Sequence, residues 1–556
     1  MERGDFMEGP KEAGPMVRPE YSEIVRLAKE FDVVPVCREI YADITTPIAI
    51  LRTISRSSRR YFLLESIEGG EKWGRYSFLG FDPIARITCK NGEITIEESP
   101  GPHSGTSHSR RKTMYSEKPL EVLRSYLSQY RAPVLADIPP FAGGFVGYFS
   151  YEMIGYAEPV LKLRKSGFCN FDVMLCDKVV AYDHLKQKIS VVVNMRTDNV
   201  EENYSKALSD IADMVRLLKE EAPAAGKAGT DRIEGAGCDN AAEIGYGSAV
   251  TADEASAGPD SSAGSMANRN AETAAARPVF TCNTTKEEFC GMVEKAKEYI
   301  RNGDIFQAVI SRRFETEYRG SLLNAYRVLR TTNPSPYMVM MQIDDIQLIS
   351  TSPETLVRLK NGVLTTFPIA GTRPRGKDTC EDKKLEEELL ADEKELAEHD
   401  MLVDLARNDL GRISKYNSVH VINYKMILRY SRVMHIASEV ESLIRDDKDA
   451  FDAIEALLPA GTLSGAPKIR ACEIIDELEK DPRGIYGGAI GYIDFTGNMD
   501  ACIAIRMAVK KGDRVYVQAG AGIVYDSIPE REYEESGNKA RAVMEAIIGA
   551  SEVDER

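Results

Sequence analysis

The chain has 556 residues, 43% of them hydrophobic and 28% charged, which is enough for a large buried core and more than one domain. Its 87 acidic against 71 basic residues give a formal net charge of −16, which disfavours nucleic acid as a partner; the short basic runs at 56–60 and 110–112 read as solvated loops. Ten scattered cysteines without a CxxC pair, a charged N-terminus and no long uncharged apolar run argue against a disulfide scaffold, a signal peptide and a membrane span, and point to the cytoplasm.

Residues 1–20 read as a flexible N-terminus. Residues 21–220 form a first globular stretch, with strand-like runs at 61–64, 94–96 and 189–193 and helical periodicity at 120–130 and 204–218. Residues 100–116 read as a polar loop. Residues 221–280 are rich in Ala, Gly, Ser and Asp. They cannot bury enough apolar surface to offset their ordering entropy and read as a low-complexity linker.

A second globular stretch covers 281–550. It opens with an amphipathic helix over 285–302, where Phe289, Met292, Val293, Ala296 and Tyr299 share a face and Thr285 and Glu288 have capping-box spacing. Strands are predicted at 308–314, 337–343, 348–351, 489–494, 502–509 and 514–519, a helix-rich stretch at 384–410 and a last helix at 530–548. No regular βαβ alternation runs through this order, so the expected class is α+β.

Two predicted helices each carry a glutamate pair, Glu395 with Glu398 and Glu532 with Glu535. The i, i+3 spacing puts both carboxylates of a pair on one face, which could meet water or hold a hard cation. Arg506 lies in an otherwise apolar run and needs an anion, either a structural salt bridge or a substrate carboxylate. Tyr486 beside two glycines reads as a core or rim tyrosine or as a ligand hydroxyl. His435, in an apolar neighbourhood, reads as a satisfied core histidine or a functional one. The glycine-rich runs at 461–468 and 518–522 lack the P-loop and dinucleotide spacings, leaving tight turns or an anion nest.

Taken in order, SPE (352–354), PIAGTRPRG (368–376), HDMLVDLARNDLGR (399–412), PAGTLSGAPK (459–468), YGGAIGY (486–492) and QAGAGIV (518–524) resemble the chorismate-utilising enzymes, and among them the large subunit of anthranilate synthase. The resemblance implies two facing, antiparallel-rich β-sheets flanked by helices, with 21–220 regulatory and 281–550 catalytic. It implies Mg²⁺ on Glu398 and Glu535, with Glu395 and Glu532 behind them. It gives Gly371, Thr372, Tyr486, Arg506, Gly520, Ala521 and Gly522 as chorismate contacts, Glu354 as general acid, and His435 and Thr462 as further catalytic residues. Related isochorismate synthases carry a water-activating Lys where this chain has Gln307, and aminodeoxychorismate synthases often carry Lys at Ala370, so both positions favour ammonia as nucleophile. The alternative within the family is aminodeoxychorismate synthase, of the folate pathway. The segments Leu64-Glu65-Ser66 and Pro336-Tyr337-Met338 resemble the family's allosteric tryptophan pocket. No glutaminase signature is present, so the resemblance implies a separate glutamine amidotransferase subunit, in a heterotetramer, as the ammonia source for the first committed step of tryptophan biosynthesis.

Overall fold

Strand-forming runs from both globular stretches feed the same two antiparallel sheets. The computed structural model describes residues 17–66, 74–99, 110–219, 277–430, 433–550 and 553. The N-terminus to residue 16 and most of the expected linker, 221–276, lie outside the described residues.

One sheet has thirteen strands. From residues before 220 it takes Val17–Arg18, Val33–Tyr41, Lys188–Arg196, Lys178–Asp183, Tyr76–Phe81 and Arg60–Glu65, in that spatial order. It continues without a break into Tyr337–Ile343, Ile346–Ser352, Met507–Lys511, Arg514–Ile523, Gln307–Glu317 and Thr281–Cys282, with Gly465–Ala466 paired to Gln307–Glu317. At the seam Leu64 faces Val339 and Glu65 faces Met338. The second sheet has twelve strands and a similar seam, where Gly144–Phe149 pairs with Ala489–Asp494. The described residues up to 222 and from 278 onward accordingly form one compact unit.

Strand alternation decides which side chains meet between the sheets. Phe62, Met341 and Val339 from the first sheet pack there against Val146, Met174 and Ile490 from the second. The other face of the first sheet is covered by helices that include Pro47–Ser57, Val200–Lys219, Leu322–Thr332 and Pro529–Gly549. The other face of the second carries Pro119–Leu127 and Ala450–Leu457. This is an α+β fold of two facing antiparallel sheets flanked by helices. Among the described residues no helix is long and apolar enough to cross a membrane.

The helix Lys286–Arg301 carries the capping box read from Thr285 and Glu288. The helix-rich stretch at 384–410 consists of parts of two helices, Thr379–Ala391 and Glu393–Gly411; the side chain of Asp392 caps the second by accepting from the Lys394 and Glu395 amides. Two elements differ from expectation. Arg110–Tyr115, read as loop, is an edge strand paired with Glu93–Glu98, where its charged residues keep a sheet edge soluble. The run 502–509 is not one strand. Met499–Ile503 belongs to the second sheet and Met507–Lys511 to the first, and the chain crosses between them through Arg506, whose φ is +48°. Both strands bury their side chains, so the run is apolar throughout and hides the break.

Candidate functional site

Arg506, at the crossover between the sheets, feels the charge of Glu535 on one acidic helix, and Glu535 in turn acts on Glu398 of the other. Asp392 fixes the start of the helix Glu393–Gly411, placing Glu395 in its first turn and Glu398 one turn on. The helix Pro529–Gly549 carries Glu532 in its first turn and Glu535 in the next. Glu398 is held above its usual range first by burial, then by the neighbouring charges of Glu395 and Glu535. Burial also raises Glu532, and Glu535 adds to the effect. Glu398 and Glu535, 137 residues apart in sequence, thus share one field. The counter-charges are Lys394 and Lys539, the latter with Nζ 2.6 Å from Glu535 Oε1 and 3.2 Å from the Gly520 carbonyl oxygen. Among the described residues no three His, Cys, Asp or Glu side chains are already gathered closely enough to hold an ion.

Glu354 follows the strand Ile346–Ser352 and borders this field. Half-buried, it is enclosed enough that desolvation pushes its carboxyl up to about 7, against a hydroxyl bond from Thr462 and the charge of Lys539. Thr462 Oγ1 donates to Glu354 Oε1 at 2.9 Å.

His435 Nδ1 lies 2.8 Å from the Gly371 carbonyl oxygen and 3.1 Å from Thr372 Oγ1. A carbonyl only accepts, so this contact assigns the proton to Nδ1 and leaves the lone pair on Nε2. Burial, and to a smaller degree Arg506, lowers the ring below its ordinary value, so it is neutral at pH 7. Gly371 itself has a φ of +64° and closes on Glu395: a Cβ there would stand 3.2 Å from the Glu395 carboxylate.

Arg506 has no carboxylate within salt-bridge distance among the described residues. Burial lowers its guanidinium, opposed by the Tyr486 hydroxyl and Glu535. Of the two readings of this arginine, the structural salt bridge is therefore not found. Tyr486 is buried, and burial pushes its hydroxyl up to about 12 although the Gly520 amide points at it. Residues 520–522 are not a turn, as their glycines suggested, but the continuation of the strand Arg514–Ile523. Its pairing with Met507–Lys511 ends at Val517, so beyond that point one side of the strand is open. Gly520 turns its N–H and C=O to the open side, and by alternation so does Gly522, while the Ala521 backbone faces Gln307–Glu317. Consecutive amides therefore do not form a nest here, and Ala521 contributes no backbone group to the site.

The segments 64–66 and 336–338, expected to form a tryptophan pocket, lie elsewhere, on a cavity of about 460 Å³ between the two sheets. Leu64, Ser66, Pro336 and Tyr337 line it. Glu65 and Met338 reach its wall, but alternation turns their side chains to the helix-covered face. There Tyr326 donates to Glu65 at 2.6 Å, Arg330 at 2.7 Å and Ser77 at 3.1 Å. Sequence reading missed the polar group that faces Tyr337. The Tyr337 hydroxyl donates to Asp500 at 2.7 Å, Arg358 Nε donates to the other oxygen at 3.0 Å, and Thr355, next to Glu354, lies 3.0 Å from the same hydroxyl. No local motif marks these residues, because the strands that carry them meet only in the fold.

A family model of chorismate binding enzymes matches residues 59–545. The chain is 44% identical to an anthranilate synthase component 1 from Acetivibrio thermocellus, covering 97% of this chain and all of that one. It is 43% identical to one from Aquifex aeolicus, with 96% and 98% covered. The crystal structure of anthranilate synthase component I from Streptococcus pneumoniae superposes with a TM-score of 0.68 at 34% identity, covering 91% of this chain and 98% of that one. The menaquinone-specific isochorismate synthase of Escherichia coli shares the fold, with a TM-score of 0.61 at 18% identity and 95% and 98% covered.

Proposed function

The chain belongs to the chorismate-binding enzyme family, among the anthranilate synthase component 1 proteins, and from that membership we propose that it converts chorismate and ammonia to anthranilate, pyruvate and water. One observation carries the reading: a carboxyl poised near 7, Glu354, shares the field of Lys539 with the acidic pairs.

Four carboxylates on two helices, with Glu398 and Glu532 disfavoured as anions, form a donor set that a hard divalent cation fits. Glu398 and Glu535 would hold Mg²⁺, with Glu395 and Glu532 supporting them. Bound there, Mg²⁺ would supply positive charge for the ring carboxylate of chorismate. Tyr486, Arg506 and the open edge at Gly520 and Gly522 receive the enolpyruvyl carboxylate, and Gly371 and Thr372 close the ring pocket. Arg506 has no protein carboxylate to compete with that ligand.

Ammonia bonds to C2 while the ring double bonds shift and the C4–O bond breaks. Glu354 gives its proton to the departing hydroxyl, which leaves as water, and the product is aminodeoxyisochorismate. Thr462 holds the Glu354 carboxyl for this transfer. The Nε2 lone pair of His435 then takes the C2 proton as the C3–O bond breaks. The enolpyruvyl group leaves, gains a proton as pyruvate, and the ring becomes aromatic. Gln307 and Ala370, both buried, provide neither a lysine base for water nor an amine to attack the ring.

Ammonia would come from glutamine through a separate amidotransferase subunit, in keeping with the component 1 names of the relatives. Tryptophan would occupy the inter-sheet cavity and inhibit. The free state of the described cysteines agrees with a cytoplasmic setting. The test is the purified chain with chorismate, Mg²⁺ and ammonium, read by anthranilate fluorescence. The aromatic product is expected; non-aromatic aminodeoxychorismate would move the chain to the folate-branch alternative.

A further inference from the structure

An arginine and a glutamate with no part in the proposed chemistry lie behind the substrate site, with side chains only 2% and 3% exposed. Arg483 donates from Nη2 to Glu479 Oε1 at 2.6 Å and from Nε to Oε2 at 3.0 Å. Its remaining donors go to backbone: Nη1 to the Leu463 carbonyl and Nη2 to the Val309 carbonyl, the latter at 2.6 Å. Glu479 Oε1 also accepts from the Ser311 amide at 2.7 Å and the Ser311 hydroxyl at 2.8 Å, and Gln518 donates to that hydroxyl at 2.8 Å. The guanidinium lies 5.7 Å from the centre of the Tyr486 ring.

Arg483 also stacks on Tyr151, 4.7 Å from the ring centre, and its other branches end beside residues of the proposed substrate site. Leu463 adjoins Thr462, which holds Glu354. Val309 faces Gly522 across the sheet, and Ser311 faces Gly520. Tyr486 follows Arg483 by three residues and lies within reach of its charge. A planar guanidinium with five donors can span such partners at fixed angles; an ammonium cannot. Desolvation of a buried ion pair can cancel its attraction, and well-packed hydrophobic residues in its place are often neutral or stabilising, so stability alone is a weak reason for such a pair.

We propose that Arg483, oriented by Glu479, is a positioning residue for the proposed reaction: it fixes the spacing of Tyr486 and the Gly520–Gly522 edge around the enolpyruvyl carboxylate, and of Thr462 against Glu354. This rests on the chorismate reading above. The double variant Arg483→Met with Glu479→Leu tests it, because removing both charges leaves neither buried alone. The expected result is a melting temperature near or above that of wild type with kcat/KM for chorismate down ~100-fold, mostly through KM, as for a misplacement of about 1 Å. A purely structural pair predicts that kinetics recover with stability, so a stable double variant with wild-type KM overturns the proposal. If the double variant does not fold, Ser311→Ala decides. It keeps the ion pair and the Ser311 amide bond to Glu479 and removes only the hydroxyl that joins Glu479 to Gln518 on the 514–523 strand, and it should raise KM several-fold at unchanged kcat; an unchanged KM overturns the proposal. Wild type assayed alongside separates the two failures: if wild type does not turn over chorismate, the reaction assignment itself falls and the positioning role with it.

Discussion

The proposed substrate site and the cavity between the sheets treat charge in opposite ways. Beside the cavity Arg358 meets Asp500, and Glu65 takes Arg330, Tyr326 and Ser77. At the proposed substrate site burial lifts Glu354, Glu398 and Glu532 and lowers Arg506, and relief is partial: Lys539 pairs with Glu535, and the charges of Lys394 and Lys539 act on Glu398 and Glu532. A satisfied wall can bind a ligand by shape at little electrostatic cost. A frustrated cluster is stabilised when substrate and cation arrive, and it has a proton ready to give near neutral pH. The two regions are still mechanically close, because Thr355, a neighbour of the Tyr337 hydroxyl, is the residue after Glu354.

The contrast can be broken at its charged end first. Glu354→Gln should lower kcat by ~10³-fold, within the usual range for a lost general acid, with the chain still folded; unchanged turnover would remove Glu354 from the reaction. His435→Asn should lower anthranilate formation by ~10²-fold and let the non-aromatic amino intermediate accumulate, which chromatography of the reaction mixture would detect. At the satisfied end, Ser66→Arg should fill the cavity and weaken tryptophan inhibition at least ~10-fold by removing shape complementarity, while leaving uninhibited turnover unchanged. Full inhibition of that variant would separate the cavity from regulation.

The smallest effect sharpens the electrostatics. Thr462→Val removes a hydrogen bond that favours the Glu354 anion, so the carboxyl should move further above 7. Turnover that needs the protonated acid falls as pH rises through about 7 in wild type, and this limb should shift upward in the variant, with kcat reduced about 5-fold for one lost hydrogen bond. Stability follows the same sign. A carboxyl raised from 4.5 to about 7 favours the folded state most below pH 4.5, and that contribution is lost as pH rises through about 7. A pH–rate profile identical to wild type would detach Thr462 from Glu354.

Much of the fold was legible because its signals are local. The capping box at Thr285 and the helical stripe after it needed only nearest neighbours, and the strands at 337–343 and 489–494 stand where the apolar pattern puts them. Arg506 was legible as an arginine in need of an anion, but not as a crossover between sheets, because two buried strands read as one apolar run. The glycines of 520–522 were legible as a close approach, but not as an open strand edge, since the end of their pairing depends on where a different strand stops. Arg483 and Glu479 escaped notice although their four-residue spacing was visible, because their partners lie on strands and loops far along the chain.

By itself the sequence determined the residue types that the chemistry needs, and their order along the chain matches a known family; both are properties of single segments. Only the tertiary structure decided which of them act on one another. Glutamates from two helices feel each other's charge, Gly371 meets His435, and strands from opposite ends of the chain enclose one cavity. The physical reason is range: side-chain spacing along a helix or strand is set within a few residues, while charge coupling and sheet pairing depend on distance in space.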